Sequence, residues 1–258
     1  MTARTSDSRD RFTGRVEDYV RARPSYPPAL LDDLLADGVL FPGAVVADIG
    51  SGTGISSELF LAGGYDVVGV EPNAQMRAAA ENVLAKYPRF RSRAGSAEAT
   101  GLPDGSASLV VAAQAFHWFD AARTRAEFRR ILIDDGWVAL IWNARRSTGS
   151  AFLEAYEALL LECGTDYAKV GHRGVGTERL AAFFGGPLTT RRYDNLQQLD
   201  LAGLRSRLLS SSYIPAPGRP EHAAMLDRLA AIFAAHAENG CVRIVYDTEV
   251  HTGQLQAG

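Results

Sequence analysis

Val45-Val46-Ala47-Asp48-Ile49-Gly50-Ser51-Gly52-Thr53-Gly54-Ile55 is the stretch on which the fold turns. A short apolar run broken only by Asp48 leads into three glycines spaced two apart, and Ser56 to Leu61 continues with the pattern of a helix. Such a run, without polar alternation, suits a strand buried on both faces, as in a parallel sheet. Glycines placed directly after it permit positive φ and let a ligand approach the backbone closely. The dinucleotide fingerprint G-x-G-x-x-G requires Gly or Ala where Ile55 stands, so NAD is the weaker reading. No Gly-Lys-Ser/Thr follows the glycines, which disfavours a nucleoside triphosphate.

Strands and helices alternate on the far side of this stretch. The pattern predicts strands at Asp66 to Val70, Phe90 to Ala94, Leu109 to Ala113 and Trp137 to Trp142, with helices at Ala74 to Ala85 and Ala121 to Leu132. That alternation argues for a doubly wound α/β sheet covered by helices on both faces. Upstream, Phe12, Val16, Tyr19 and Val20 recur at helical spacing, prolines 24, 27 and 28 mark a bend, and Leu30 to Leu35 resume a helix. Residues 1–11 are polar and aperiodic and read as a disordered start. Downstream, helical stretches are expected at Ala151 to Glu162, Thr177 to Phe184, Ala202 to Leu209 and Pro220 to Ala237. Val242 to Val250 alternates as an antiparallel strand would, and Gly171 to Gly176 could serve as a lid or as a plain connector. A single domain over 12–258 accommodates this order: a cap at 12–43, a cofactor-binding core at 44–143, helical insertions at 144–240 and a last strand at 241–255.

The composition narrows the function class. The chain has 258 residues, 47% hydrophobic and 22% charged, with a formal net charge of −3. These are values of a globular protein able to bury a core, without the basic footprint of a phosphate-gripping nucleic-acid binder. A small-molecule partner is expected, and no nucleic acid. Cys163 and Cys241 are too few and too far apart for a disulfide framework or zinc site, which fits a reducing, cytoplasmic setting. No apolar run reaches the roughly 18 residues of a membrane span, and the first residues lack a signal-peptide core. His172, His222, His236 and His251 show no metal-ligand spacing, so no metal is expected.

Within the alternating region, Glu71 closes the second strand, where a carboxylate can accept hydrogen bonds from ribose hydroxyls and repel a 2′-phosphate. Ser96, Ala97 and Glu98 follow the third strand, and Gln114, Ala115 and Phe116 follow the fourth. All these carboxyl-end loops face one crevice in an open parallel sheet. His117 is the leading candidate base, against a role as a packed or hydrogen-bonding wall residue. Phe116, Trp118 and Phe119 shape a pocket or fill core; Phe119 suits core better. Arg145 follows the fifth strand on the crevice side, and Arg145-Arg146 and Arg191-Arg192 could attract an anion or lie on a solvated face.

The ordered set Asp48-x-Gly50-x-Gly52-x-Gly54, Val70-Glu71-Pro72-Asn73 with Met76, Ala97-Glu98-x-x-x-Leu102-Pro103 and Gln114-Ala115-Phe116-His117-Trp118-Phe119 resembles the class I S-adenosylmethionine-dependent methyltransferases. Within them it is similar to the small-molecule branch of trans-aconitate methyltransferase-like proteins. The likeness extends to Tyr19 with Arg23-Pro24-x-Tyr26-Pro27, to Ser210-Ser211-Ser212-Tyr213 and to Tyr246-Asp247-Thr248. It implies a Rossmann-like, mostly parallel seven-stranded sheet with an antiparallel last strand, a helical cap and insertions. It also implies S-adenosyl-L-methionine as cofactor, released as S-adenosyl-L-homocysteine. Gly50, Gly52 and Gly54 would line its methionine and ribose portions, Glu71 the ribose hydroxyls, Pro72 and Met76 the adenine flanks, and Ala97 and Glu98 the amino group. Tyr19, Arg23 and Gln114 are candidates for the methionine end; Tyr26, Phe116, Trp118, Arg145 and Tyr213 for the acceptor. Many relatives carry an acidic residue where Ser96 stands, which shifts the adenine contact to backbone or Glu98. A monomer or homodimer fits. A non-transfer reaction at the bound cofactor, or a cofactor-binding partner without catalysis, are the alternatives to methyl transfer.

Overall fold

The computed structural model describes residues 22–164, 167, 176–211 and 213–256. The expected helix at Phe12 to Val20 and nearly all of the glycine-rich segment at 171–176 lie outside the described residues, as do Tyr19 and Ser212.

Seven strands form one sheet in the order β3-β2-β1-β4-β5-β7-β6. They are β1 (Val45–Ile49), β2 (Asp66–Val70), β3 (Phe90–Arg93), β4 (Ala107–Ala113), β5 (Leu132–Arg145), β6 (Leu188–Leu199) and β7 (Val242–Gly253). β1 pairs in parallel with β2 and β4, β2 with β3, and β4 with β5. β7 runs antiparallel to both β5 and β6, so the last strand alone is reversed. The sheet is therefore the Rossmann-like one that the motifs imply. β4 is buried along its whole length, which explains its unbroken apolar sequence.

Eight α-helices flank the sheet among the described residues: α1 (Ala29–Ala36), α2 (Ile55–Ala62), α3 (Ala74–Val83), α4 (Ala121–Ile131), α5 (Ala151–Cys163), α6 (Thr177–Phe184), α7 (Leu201–Leu209) and α8 (Pro220–His236). Their starts follow from local chemistry. The Asn73 side chain accepts from the backbone of Gln75 and Met76 to open α3, and Asp120 does the same for Ala122 and Arg123 at α4. Pro220 occupies the first turn of α8, where its missing N–H costs nothing.

Alternate residues of the strands feed two cores. Ala47, Ile49, Val110 and Leu140 pack on one face, and Val46, Leu109, Val111 and Ile141 on the other. A third core joins α5, α7 and α8 to one side of β7 through Tyr156, Leu204, Leu229, Ile244 and Tyr246. One correction concerns the range 144–240. It is not wholly helical, because β6 lies inside it as a long edge strand. Much of β6 is exposed and it shows little apolar alternation, so the pattern that reveals buried strands is missing there.

Candidate functional site

The crevice opens where chain connections diverge, between β1 and β4, at the carboxyl ends of the parallel strands. On its β1 side, Gly50 and Ser51 both donate backbone N–H to the carbonyl of Val70, at 2.8 and 3.2 Å, folding the glycine loop over the end of β2. Gly50, Gly52 and Gly54 have φ of 73°, 55° and 89°, so all three need the left-handed freedom of glycine. Their surroundings differ. A Cβ on Gly50 would stand 2.7 Å from the Ala115 Cβ, and one on Gly54 2.6 Å from Leu84 Cδ1, whereas Gly52 faces open space.

Glu71 reaches across to this loop. Its carboxylate accepts the backbone N–H of Gly52 at 3.1 Å and of Asn73 at 2.8 Å, and burial pushes its pKa up. Asp48 lies beneath, fully buried, with one oxygen accepting the Ser56 and Ser57 hydroxyls at 2.7 and 2.6 Å. Burial raises its pKa to about 6 against those hydrogen bonds. The other oxygen, Oδ1, and the buried Thr53 hydroxyl have no hydrogen-bond partner among the described residues. The unpartnered Asp48 Oδ1 and Thr53 hydroxyl, beside the open Gly52, make this loop the candidate cradle for a polar ligand.

The further carboxyl-end loops are braced from below. Met76 and Ala97 are buried, while Pro72 is exposed. Glu98 accepts the Asp120 N–H at 3.0 Å, and Glu127 accepts both the Thr100 N–H and hydroxyl, at 2.8 and 2.6 Å. Arg130 pairs with Glu127 and lowers its pKa to about 2, so the brace stays ionised throughout the physiological range.

On the β4–β5–β7 side lies a small cavity. Arg23, Tyr26 and Gln114 line it with Arg145, and the structure adds Ile55, Asn143, Arg207 and Tyr246, beside Pro24. Gln114 has φ of 56°, uncommon for a residue with a side chain, and its Nε2 donates to the Asn143 carbonyl at 3.1 Å. A strained residue held at a crevice is the kind of feature that function accounts for. Asn143 donates to the Ser25 carbonyl at 3.2 Å and accepts the Thr248 hydroxyl, tying the segment at 22–28 to β5 and β7. Arg23 donates to the Ser210 carbonyl at 2.8 Å. Arg145 is 5% exposed at its side chain and is held by Glu157 and by the Tyr167 hydroxyl at 2.7 Å.

Other expected residues lie elsewhere. Phe116 is a core residue, not a pocket wall: it is fully buried, with Phe119, Trp142 and Phe183 edge-on at 6.2, 6.4 and 4.5 Å. The cause is the short 3-10 turn Phe116–Trp118, which sends the three side chains in different directions. Trp118 is 37% exposed and packs at 4.7 Å on His117, itself exposed at the rim. Neither lines the cavity. Surrounding protein and the nearby Arg179 guanidinium push the His117 pKa down. Tyr213 is buried 5.0 Å from the Tyr167 ring and does not line the cavity either. Arg146 pairs with Asp194 and Asp247, Arg191 with Asp37, and Arg192 with Glu249, all on solvated faces.

Arg207 is the member of the cavity that the sequence pattern could have exposed. It falls on the buried stripe of α7 with Leu204 and Leu208, an arginine where an apolar residue belongs. Among the described residues no group of His, Cys, Asp and Glu could hold a metal ion, and no helix is long and apolar enough to cross a membrane.

Comparison with known proteins agrees with this arrangement. Residues 47–140 match the family model described as a methyltransferase domain. An uncharacterized methyltransferase of Mycobacterium tuberculosis is 38% identical over 147 residues, 56% of this chain and 57% of that protein. An uncharacterized methyltransferase-like protein of Schizosaccharomyces pombe is 32% identical over 138 residues, 53% of each chain. The matches thus span little more than half the length of these curated relatives. Among solved structures, a provisionally assigned type II methyltransferase of Anaeromyxobacter dehalogenans superposes with a TM-score of 0.64 at 24% identity, covering 92% of this chain and 99% of its own. A provisionally assigned methyltransferase from an antibiotic biosynthesis pathway of Anabaena variabilis gives 0.58 at 22%, over 88% and 98%. At these identities the structural likeness is one of fold. Residues 47–140 thus match a methyltransferase-domain model, within a chain that takes the Rossmann-like α/β fold of those structures.

Proposed function

We propose that the protein is an S-adenosylmethionine-dependent methyltransferase that moves a methyl group to a small molecule by in-line displacement. The observation that carries the reading is the approach of the Glu71 carboxylate to the open Gly52 backbone, in a crevice whose β4–β5–β7 side holds a cavity. S-adenosylmethionine supplies a methyl group on a sulfonium whose leaving group is a neutral thioether, so that group needs no general acid. The residues then have to bind, align and exclude water.

In this reading Gly50, Gly52 and Gly54 admit the ribose and methionine portions to the backbone, and Glu71 holds the ribose hydroxyls. Pro72, Met76, Ala97 and Glu98 border the adenine. Arg23 and Gln114 serve the methionine end, and Tyr26 and Arg145 shape the acceptor side. In this reading His117 is a rim residue and is not assigned as the base, because it does not line the cavity. An acceptor that is already ionised needs no base.

Calorimetric titration with S-adenosylmethionine, S-adenosylhomocysteine and NAD tests the cofactor. The expected result is micromolar affinity for both adenosyl ligands, about −8 kcal/mol, and none for NAD. A folded sample that binds neither adenosyl ligand overturns the proposal.

A further inference from the structure

Three arginines, Arg23, Arg145 and Arg207, line the cavity with Gln114, Asn143 and Tyr246, and among the described residues no carboxylate does. The chain as a whole is acidic, with a formal net charge of −3, so this concentration of positive charge is local. Arg145 has its counter-ion in Glu157. Arg207 has none among the described residues. Its side chain comes from the buried face of α7, the residue is 5% exposed, and its contacts are to neutral groups. Nε donates to the Tyr246 hydroxyl at 3.2 Å, and Nη1 lies 3.5 Å from the Ser211 hydroxyl, at the limit of a hydrogen bond. Tyr246 in turn donates to Gln197 Oε1 at 3.1 Å, so its hydroxyl is oriented to accept from Arg207 and holds the guanidinium in place. Nη2 has no acceptor of its own among the described residues.

A guanidinium does not lose its proton, and burying one without a counter-charge is costly. A protein that needed only packing at this helix position would carry leucine, as at Leu204 and Leu208. The fork of a guanidinium matches a planar carboxylate through paired N–H donors. We infer that Arg207 is a carboxylate-binding residue, the anchor of an anion subsite at the β7 side of the cavity. The inference rests on the methyltransferase reading for the two possible sources of that carboxylate: the acceptor, or the methionine end of the cofactor.

The test uses the full chain as wild type, Arg207→Met and Arg207→Lys. Thermal unfolding is followed with acetate, propionate and benzoate, each against its primary amide at matched ionic strength. Affinities for S-adenosylhomocysteine and for 5′-methylthioadenosine, which lacks the amino-acid end, are measured by calorimetry. The carboxylates should raise the unfolding temperature of the wild type while the amides do not. Arg207→Met should abolish the shift and unfold no lower than wild type, since an uncompensated buried cation has gone; Arg207→Lys should keep a weaker shift. Loss of that shift with S-adenosylhomocysteine affinity within twofold assigns the subsite to the acceptor. A tenfold loss for S-adenosylhomocysteine with none for methylthioadenosine assigns it to the methionine end. The inference is overturned when neither the carboxylate response nor the S-adenosylhomocysteine affinity depends on Arg207. Should the Met variant fail to fold, an undiminished response in the Lys variant overturns it equally. Wild-type binding of S-adenosylhomocysteine is read separately, so a chain that binds it independently of Arg207 and ignores carboxylates fails only here. A chain that responds to carboxylates but not to adenosyl ligands loses only the cofactor reading.

Discussion

At the scale of single residues, Glu71 and Asp48 separate two uses of a buried carboxylate. Glu71 faces the glycine loop, and Glu71→Ala should weaken S-adenosylhomocysteine binding by roughly 1.5 to 3 kcal/mol, the range of hydrogen bonds to a charged group. Unchanged affinity in the same calorimeter would remove it from the site. Asp48 instead supports the loop from below and costs stability. Its native pKa, about 6, lies above the ordinary 3.8, so its contribution is fully present below pH 3.8 and is lost as pH rises through 6. Asp48→Asn should flatten the stability profile between pH 4 and 6 and raise stability at pH 7 by on the order of 2 kcal/mol. Denaturant unfolding across that pH range checks the sign. His117→Ala should change turnover less than threefold, and a hundredfold loss would restore it as a base. The gathering of Asp48, Gly52 and Glu71 around one loop was legible, because their contacts lie within a few dozen residues of one another. Asn143 was not, because its partners, such as Ser25, lie far along the chain, and Arg207 was signalled only as an arginine on an apolar helix stripe, with its partner Tyr246 equally distant.

At the scale of elements, the glycine loop makes a graded experiment. Gly50→Ala and Gly54→Ala place a Cβ 2.7 and 2.6 Å from existing side chains, on top of an unfavourable φ. Gly52→Ala meets only the φ penalty, about 1 to 2 kcal/mol. The first two should lower the unfolding temperature clearly, while Gly52→Ala should stay folded and, on the proposed reading in which its open side faces the ligand, lose ligand binding. Equal stability loss in all three, with binding retained in Gly52→Ala, would make the loop structural. Among strands, β1, β2 and β4 announced themselves by short apolar runs. β6 did not, because an edge strand is held by its backbone ladder to β7 and by surface ties such as Tyr193 to Asp33, and needs no apolar stripe. The expectation of seven strands came from the family likeness, and the alternation itself located six of them.

For the whole molecule, the division into three cores predicts separable effects. Leu229 is fully buried in the core of α5, α7, α8 and β7, away from the glycine loop. Leu229→Ala should cost about 2 to 5 kcal/mol of stability. It should raise the KM for the acceptor, while S-adenosylhomocysteine affinity stays within twofold. A parallel loss of both affinities would mean the two sides of the crevice move as one. The reversal of β7 has a practical side. Tyr246 sits opposite Arg145 at the crevice, but Gly253 pairs with Val138 and Leu188 at the far edge of the sheet. A biotin or resin handle joined beyond Gln256 would therefore hold the molecule with its crevice turned toward bulk solution, whereas a handle near Arg23 would crowd the mouth. Surface-immobilised binding assays attached by the first route should return the affinities measured in free solution.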